Sequence, residues 1–391
     1  MKKSFKSFLI LCLTFCVLYQ YQSSTGTISN HEHVRALPNE SIYIPKSPLF
    51  YSLDSFFRMR HKFGGFNGTV LVSKGNRVVY KGEFGYENFQ SKDTLSASSS
   101  FQIASVSKTF TATAILYLVE KGWLSLEDTL GTFYPDFPYR NIKIKDLLCH
   151  RSGLPNYLHF CNALWKNKAA YMTNDDLIKL LYKYPKIEGT TKPGTHFQYC
   201  NTNYALLASI VERVSAKRFP VFMKETFFVP LGMQNTFVFD ILNPKDRSKA
   251  AISYTAQGTE HRDDSYDGIY GDKGIYSSTL DMYKWNLAFY DNKLISPEMQ
   301  QEAYTPRSFE KGGDRNYGYG WRLMKQPNDE YLVYHNGWWH GNNTVFYRYV
   351  PDTFALIILS NRFNKSVYNV QPVFNIVGKT SAENTAFSED I

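Results

Sequence analysis

Ser105-Val106-Ser107-Lys108 places a hydroxyl and an amine three residues apart. On a helix such an i, i+3 pair shares one face, with Cβ atoms about 5–6 Å apart. A serine hydroxyl is a poor nucleophile until a neighbour takes its proton. A lysine can take it, or can hold a second base in its ionised form. The residues that follow carry Ala112, Ile115, Leu116 and Val119 on one face and reach Gly122, which predicts a helix over 105–121. Ser105 would open that helix, where free N–H groups and the positive end of the helix dipole favour a developing oxyanion. A second Ser-x-x-Lys, Ser308 to Lys311, runs into Gly312-Gly313 and opens no helix.

Two further motifs add chemistry. In Tyr199-Cys200-Asn201 a phenol beside a lysine can act as general base, and an asparagine amide can bind a substrate amide or orient the lysine. Tyr-x-Asn also occurs at Tyr86, Tyr139, Tyr290 and Tyr334. Only the copy at Tyr199 follows a Pro193-Gly194-Thr195 turn and leads into a long apolar helix. His335-Asn336-Gly337 is the single His-x-Gly and ends a strand expected at 331–334, where glycine would let a substrate backbone lie close. A lone histidine is more often structural than catalytic, so His335 gains weight only from the other two motifs.

The elements that must position these residues divide the chain. A hairpin is expected over 69–81 with its turn at Lys74-Gly75-Asn76, and strands over 331–334, 344–350 and 355–359. Helices are expected at 53–62, 146–149, 173–182 (Thr173 as N-cap), 202–214, 221–228, 279–290 and 367–377. Strands at both ends with helices between predict an α+β fold: one antiparallel sheet flanked by helices, with an inserted, mostly helical lobe. The sheet lobe would take 53–100 and 310–378 and the helical lobe 101–309, with the site in the cleft between them. Residues 25–52, with Pro38, Pro45 and Pro48, read as a linker or arm, and 379–391 as a polar tail.

Residues 1–24 read as a signal peptide: Lys2, Lys3 and Lys6 precede the apolar run Phe8 to Leu18. That run is short for a bilayer span, and an uncleaved anchor is the alternative. Export to the periplasm, the cell surface or the medium is therefore expected. The net charge is +9, or +6 without the three leader lysines, and the basic residues are scattered, which gives no nucleic-acid patch. The cysteines match no zinc or haem signature, so neither a metal nor a cofactor is expected. Beyond the leader, Cys149, Cys161 and Cys200 are odd in number. Cys200 is expected to be a free thiol turned into packing, whereas Cys149 and Cys161 could pair.

In this order the three motifs resemble the serine β-lactamase and penicillin-binding-protein superfamily, and most closely its class C β-lactamase-like branch of D-alanyl-D-alanine carboxypeptidases, D-aminopeptidases and esterases. Leu147 to Leu154, Pro193-Gly194-Thr195, Pro230 to Met233, Gly274 to Ser277 and Tyr317 to Trp321 agree with it, over about residues 53–378. The resemblance implies a β-lactamase/transpeptidase-like fold with Ser105 as the acylated nucleophile, and with Lys108 and Tyr199 sharing the base work. It further implies Asn201 on the substrate amide, His335 lining the pocket, and an oxyanion hole from the N–H groups of Ser105 and Trp338. His150 and Gly153 match as structural residues. The substrate would be a small molecule or peptide, peptidoglycan fragments included; no stable protein partner is indicated. Two functional classes follow: an acyl-serine hydrolase of D-amino-acid peptides, amides or esters, and a non-catalytic binder or sensor of wall fragments or β-lactams in the same cleft. The chain departs from the pattern at His335, where penicillinases carry lysine. The fixed cation for a substrate carboxylate is then expected to be missing, which favours esters and neutral amides over β-lactams. Trp338 and Trp339 would wall the pocket.

Overall fold

The computed structural model describes residues 44–378 except 186, 188, 189 and 311. The expected leader, the tail and most of the arm lie outside the described residues. The arm ends sooner than expected, because helix α1, Pro48–Gly64, starts inside it. Ser47 caps that helix by accepting from the Phe50 N–H at 3.1 Å, and Pro48 stands in its first turn, where no amide proton is needed.

Strands Gly68–Lys74 (β1) and Arg77–Phe84 (β2) form the expected hairpin. Tyr86–Asn88 (β3) and Asp93–Thr94 (β4) pair as a short ribbon. Phe101–Gln102 (β5), Phe237–Val238 (β6) and Ile275–Ser277 (β7) make a small sheet inside the expected helical lobe, in the order β5-β7-β6. The main sheet adds Arg315–Tyr317 (β8), Arg322–Lys325 (β9), Tyr331–Trp339 (β10), Asn342–Tyr349 (β11) and Phe354–Ser360 (β12). Its order is β2-β1-β12-β11-β10-β9-β8, antiparallel throughout, so the strands from the two ends of the chain meet at β1 and β12.

Both faces of this sheet are covered. Val70, Val72, Val345, Tyr347, Leu356 and Ile358 point to one side, under Leu53 and Phe57 of α1 and Phe374 of the closing helix. Leu71, Phe346, Ile357 and Leu359 point to the other and join the core of the helical lobe. The two-residue period of a strand divides these residues between the faces, and hydrophobic residues on both sides give the fully buried run Phe354–Ser360.

The remaining helices are Ser107–Glu120 (α2), Leu130–Phe133 (α3), Ile144–Leu148 (α4), Tyr157–Leu164 (α5), Asn174–Lys183 (α6), Asn201–Ser215 (α7), Phe219–Met223 (α8), Thr279–Tyr290 (α9), Pro297–Ala303 (α10) and Gln371–Ile376 (α11). Thr173 caps α6 as expected, and Asp176 completes a capping box. The helix expected over 221–228 is instead a short α-helix followed by a π turn, Lys224–Phe228. The closing helix is shorter than expected and follows a 3₁₀ turn, Lys365–Tyr368. α9 packs on β1 and β12, beneath the second face of the sheet. Among the described residues no helix is long and apolar enough to cross a membrane.

Cys149, Cys161 and Cys200 are all free and buried, so the pairing left open for Cys149 and Cys161 is not made. Burial pushes the Cys149 and Cys161 thiols up to about 12 and the Cys200 thiol up to about 11, which suppresses the reactive thiolate. Iodoacetamide is therefore expected to spare all three in the native protein and to alkylate all three in guanidinium. A disulfide-linked peptide joining Cys149 to Cys161 would contradict this.

Candidate active site

Ser105 lies in a 3₁₀ turn, Ala104–Val106, that runs directly into α2. Ala104 holds a left-handed φ of +48°, a strained conformation for a residue with a Cβ, immediately before the serine. Lys108 is fully buried one turn later. Its ammonium donates to Ser105 Oγ at 3.1 Å and to the Asp272 carbonyl at 2.9 Å. It also stands 5.0 Å from the Tyr199 ring centroid and 5.7 Å from that of Tyr204. A buried cation needs such partners to replace its water.

The loop Gly271-Asp272-Lys273-Gly274 clasps α2. Thr111 donates to the Gly271 carbonyl at 2.7 Å, and the Ile275 N–H donates to Ser107 Oγ at 3.3 Å. Gly271 has φ +102°, and a Cβ there would stand 2.3 Å from the Tyr204 carbonyl, so only glycine lets the loop come this close.

Tyr199 and Cys200 precede α7, and Asn201 is its first residue. Buried His150 fixes this junction from a left-handed φ of +58°. Its Nδ1 accepts the Cys200 N–H at 3.1 Å, and its ring lies 4.3 Å from the Tyr199 ring. Burial, then the charges of Lys108 and Arg322, hold His150 well below the usual histidine range and so neutral. Gly153 closes the same loop with φ +69°, where a Cβ would stand 2.2 Å from the Thr191 carbonyl. Both residues are structural, as expected. Cys200 Sγ turns away to the Leu154 carbonyl at 3.3 Å. Asn201 is buried with its Oδ1 unpartnered, an acceptor left for something not supplied by the fold.

His335, Gly337 and Trp338 come from β10. The His335 ring is buried 6.3 Å from the Tyr199 ring, and its Nε2 meets the Tyr317 hydroxyl at 3.1 Å. Burial, then the Arg322 and Lys108 charges, hold it well below the usual histidine range. A Cβ at Gly337 would stand 2.3 Å from Thr344 Oγ1, 2.5 Å from the Ile103 carbonyl and 3.1 Å from Ala104 Cβ, so the glycine lets the serine turn lie against the strand. Trp338 is 37% exposed and faces Phe363 at 5.7 Å. Trp339 instead donates its indole N–H to Asp267 at 2.7 Å, tying the β10–β11 turn to the helical lobe.

Ser105, Lys108, Tyr199, His335 and Gly337 thus converge on the junction of α2, α7 and β10, with Asn201 two residues beyond Tyr199 and Trp338 one residue beyond Gly337 with its ring turned to Phe363. Sequence reasoning missed Arg322 on β9. Its guanidinium lies 5.2 Å from the Tyr199 ring centroid, and its partner in register is Tyr334, the residue before His335. A permanent cation therefore does stand beside the site, supplied by the neighbouring strand. The recognisable Tyr317 to Trp321 stretch ends one residue before it, but a four-residue strand gives no alternation to read. Tyr157, Asp272 and Lys273 were also missed. Among the described residues, the one group of metal-ligating types drawn together is Asp264, Asp267 and His340, with ligand atoms within 4.8 Å of one another. The Asp267 oxygens are already engaged, by Trp339 and by His340 Nε2 at 2.9 Å.

Comparison with known proteins places this geometry. Residues 53–373 match the Beta-lactamase family model. Penicillin-binding protein 4* of Bacillus subtilis is 34% identical over 78% of this chain. The chain spans 70% of the length of that protein, and 62% and 59% of the next two relatives. The crystal structure of a penicillin-binding protein from Bacillus halodurans superposes with TM-score 0.71 and 27% identity, covering 85% of this chain and all of the other. That of D-amino acid amidase from Ochrobactrum anthropi superposes with TM-score 0.68 and 22% identity, covering 85% of this chain and 98% of the other, a likeness of fold. The chain belongs to the β-lactamase family of serine hydrolases, together with the penicillin-binding proteins.

Proposed function

We propose that the protein is an exported hydrolase that forms an acyl-enzyme on Ser105 and acts on D-amino-acid peptides, amides or esters derived from the cell wall. The observation that carries this reading is the 3.1 Å hydrogen bond between the buried Lys108 ammonium and Ser105 Oγ. With the Lys108–Tyr199 pair one proton short, as lysine amine or tyrosine phenolate, Ser105 Oγ bonds to the substrate carbonyl carbon while its proton passes to that vacant position on the pair. The carbonyl C–N or C–O bond then breaks, and that proton leaves with the amine or alcohol. Water adds to the acyl-enzyme, releases the acid and restores the serine hydroxyl. The N–H groups of Ser105 and Trp338 hold the oxyanion, and the unpartnered Asn201 Oδ1 accepts a substrate amide N–H. The apolar run at the N-terminus supports export, and the names of the relatives support a wall-derived substrate.

Arg322 changes the expected substrate preference. The argument for neutral esters rested on a missing cation, whereas the guanidinium beside Tyr199 suits a substrate that ends in a carboxylate. Arg322→Gln is expected to raise KM for a peptide ending in D-alanyl-D-alanine about ten- to a hundredfold, the loss of one charge-assisted contact. KM for the same peptide with its terminus amidated is expected to be unchanged. Equal effects on both peptides would remove Arg322 from this role.

Wild-type protein treated with a fluorophosphonate is expected to gain one phosphonyl adduct by intact mass, mapping to Ser105. Ser105→Ala is expected to gain none, to keep its fold by circular dichroism and to lose activity by several orders of magnitude. An unlabelled wild type, or a mutant that retains turnover, would favour the non-catalytic binder.

A further inference from the structure

A second buried lysine lies behind the first. Lys273, 3% exposed, donates to the Tyr157 hydroxyl oxygen at 2.7 Å and to the Ile269 carbonyl at 3.3 Å. Tyr157 is fully buried and donates in turn to Asp272 Oδ2 at 2.9 Å. Asp272 Oδ1 has no hydrogen-bond partner and stands 3.8 Å from the Lys273 ammonium. The backbone carbonyl of this same Asp272 holds the Lys108 ammonium at 2.9 Å. One residue therefore touches the catalytic pair with its main chain and a buried ion pair with its side chain. Tyr157 is anchored at its other end, where its N–H donates to Thr202 Oγ1 at 2.8 Å, one residue past Asn201.

We infer that Tyr157, Asp272 and Lys273 are positioning residues for acylation: the triad fixes the peptide that holds Lys108 on Ser105, and its buried charges set the pH at which the catalytic pair can accept a proton. The inference rests on the acyl-serine reading above. A buried ion pair is a weak source of stability, because removing two charges from water costs several kcal/mol each. A hydrophobic trio would hold the loop as well, so the charges point to work other than folding. Their electrostatic link to the site is direct. Burial holds Lys273 below the usual lysine range against the opposing charges of Asp272, Asp267 and Asp264, and the Lys108 charge adds the smallest contribution in the same direction as burial. By reciprocity Lys273 acts on the Lys108 site as a like charge and the Asp272 carboxylate as an opposite one. The other charged or titratable groups around these two lysines are Tyr199, Tyr204, His150, His335 and Arg322 on the Lys108 side and His340 beyond Trp339, whose ring lies 4.8 Å from the Lys273 ammonium.

The test measures the rate of Ser105 phosphonylation by a fluorophosphonate across the acid-to-alkaline range. The rate rises with pH to a plateau, and the midpoint reports when the acceptor is free to take the proton. Removing a neighbouring cation strengthens proton binding, so Lys273→Met is expected to move the midpoint up by about one pH unit. Removing a neighbouring anion does the reverse, so Asp272→Asn is expected to move it down. Tyr157→Phe keeps the ring and both charges but removes the hydroxyl between them. It is expected to lower the plateau three- to tenfold, a loss of alignment, while leaving the midpoint near that of wild type. Midpoints that coincide with wild type, or that move the same way in both charge variants, overturn the proposal. Should a charge variant fail to fold, Tyr157→Phe decides alone, and a wild-type plateau overturns it. Failure of the acyl-serine reading is distinct, since the wild type itself would then not be labelled.

Discussion

Placing the Lys108 ammonium out of reach of water is the constraint on which the rest of the site depends. An isolated buried ammonium is prohibitively unfavourable, so the fold must replace its hydration shell. It does so with Ser105 Oγ, the Asp272 carbonyl and the faces of Tyr199 and Tyr204. Each partner arrives on a different element. The serine comes on the turn before α2, the carbonyl on the 271–274 loop, Tyr199 on the strand-like entry to α7 and Tyr204 on α7 itself. Displacing any of them exposes or orphans the lysine, which couples the alignment of Ser105 to the stability of the surrounding lobe.

The main sheet supplies the rigid wall. Its central strands are buried on both faces, so β10 can be positioned by packing as well as by its ladder. Gly337 then lets the serine turn dock on β10 at backbone distance, and the docked turn holds Ala104 in a left-handed conformation. Strain before Ser105 persists only because its surroundings determine it from several sides. His150, also left-handed, does the same for the Tyr199 junction, as a neutral acceptor for a main-chain N–H. At the rim, burial opposes the charge of Asp267. The hydrogen bond and charge of His340 and the Lys273 cation outweigh it, so the carboxylate that ties Trp339 stays below the usual range and ionised.

Cations in and around the site are distributed over three elements: Lys108 on α2, Lys273 on the clasping loop and Arg322 on β9. Lys108 and Arg322 keep His150 and His335 neutral, because a histidine already penalised by burial is disfavoured further by each positive neighbour. His335 therefore offers hydrogen bonds rather than charge.

The sequence by itself determined the family and most of the frame. Ser105 and Lys108 were legible because their alignment is local: three residues on one helix face need no tertiary information. The hairpin over 69–81, the Thr173 cap and the long helix after Tyr199 were legible for the same reason, as was the division of strands between the two ends. What tertiary structure alone decided is every contact made across the chain. Arg322 reaches Tyr199 because β9 pairs with β10, and a register is invisible in a strand of four residues. Gly337 faces Ala104, some 230 residues away in sequence, because a strand and a turn pack face to face, so its purpose could not be read from its neighbours. Tyr157, Asp272 and Lys273 carry no motif. Their meaning lies in sharing one buried volume with Lys108, and burial of a charge is a property of the folded interior rather than of any local pattern.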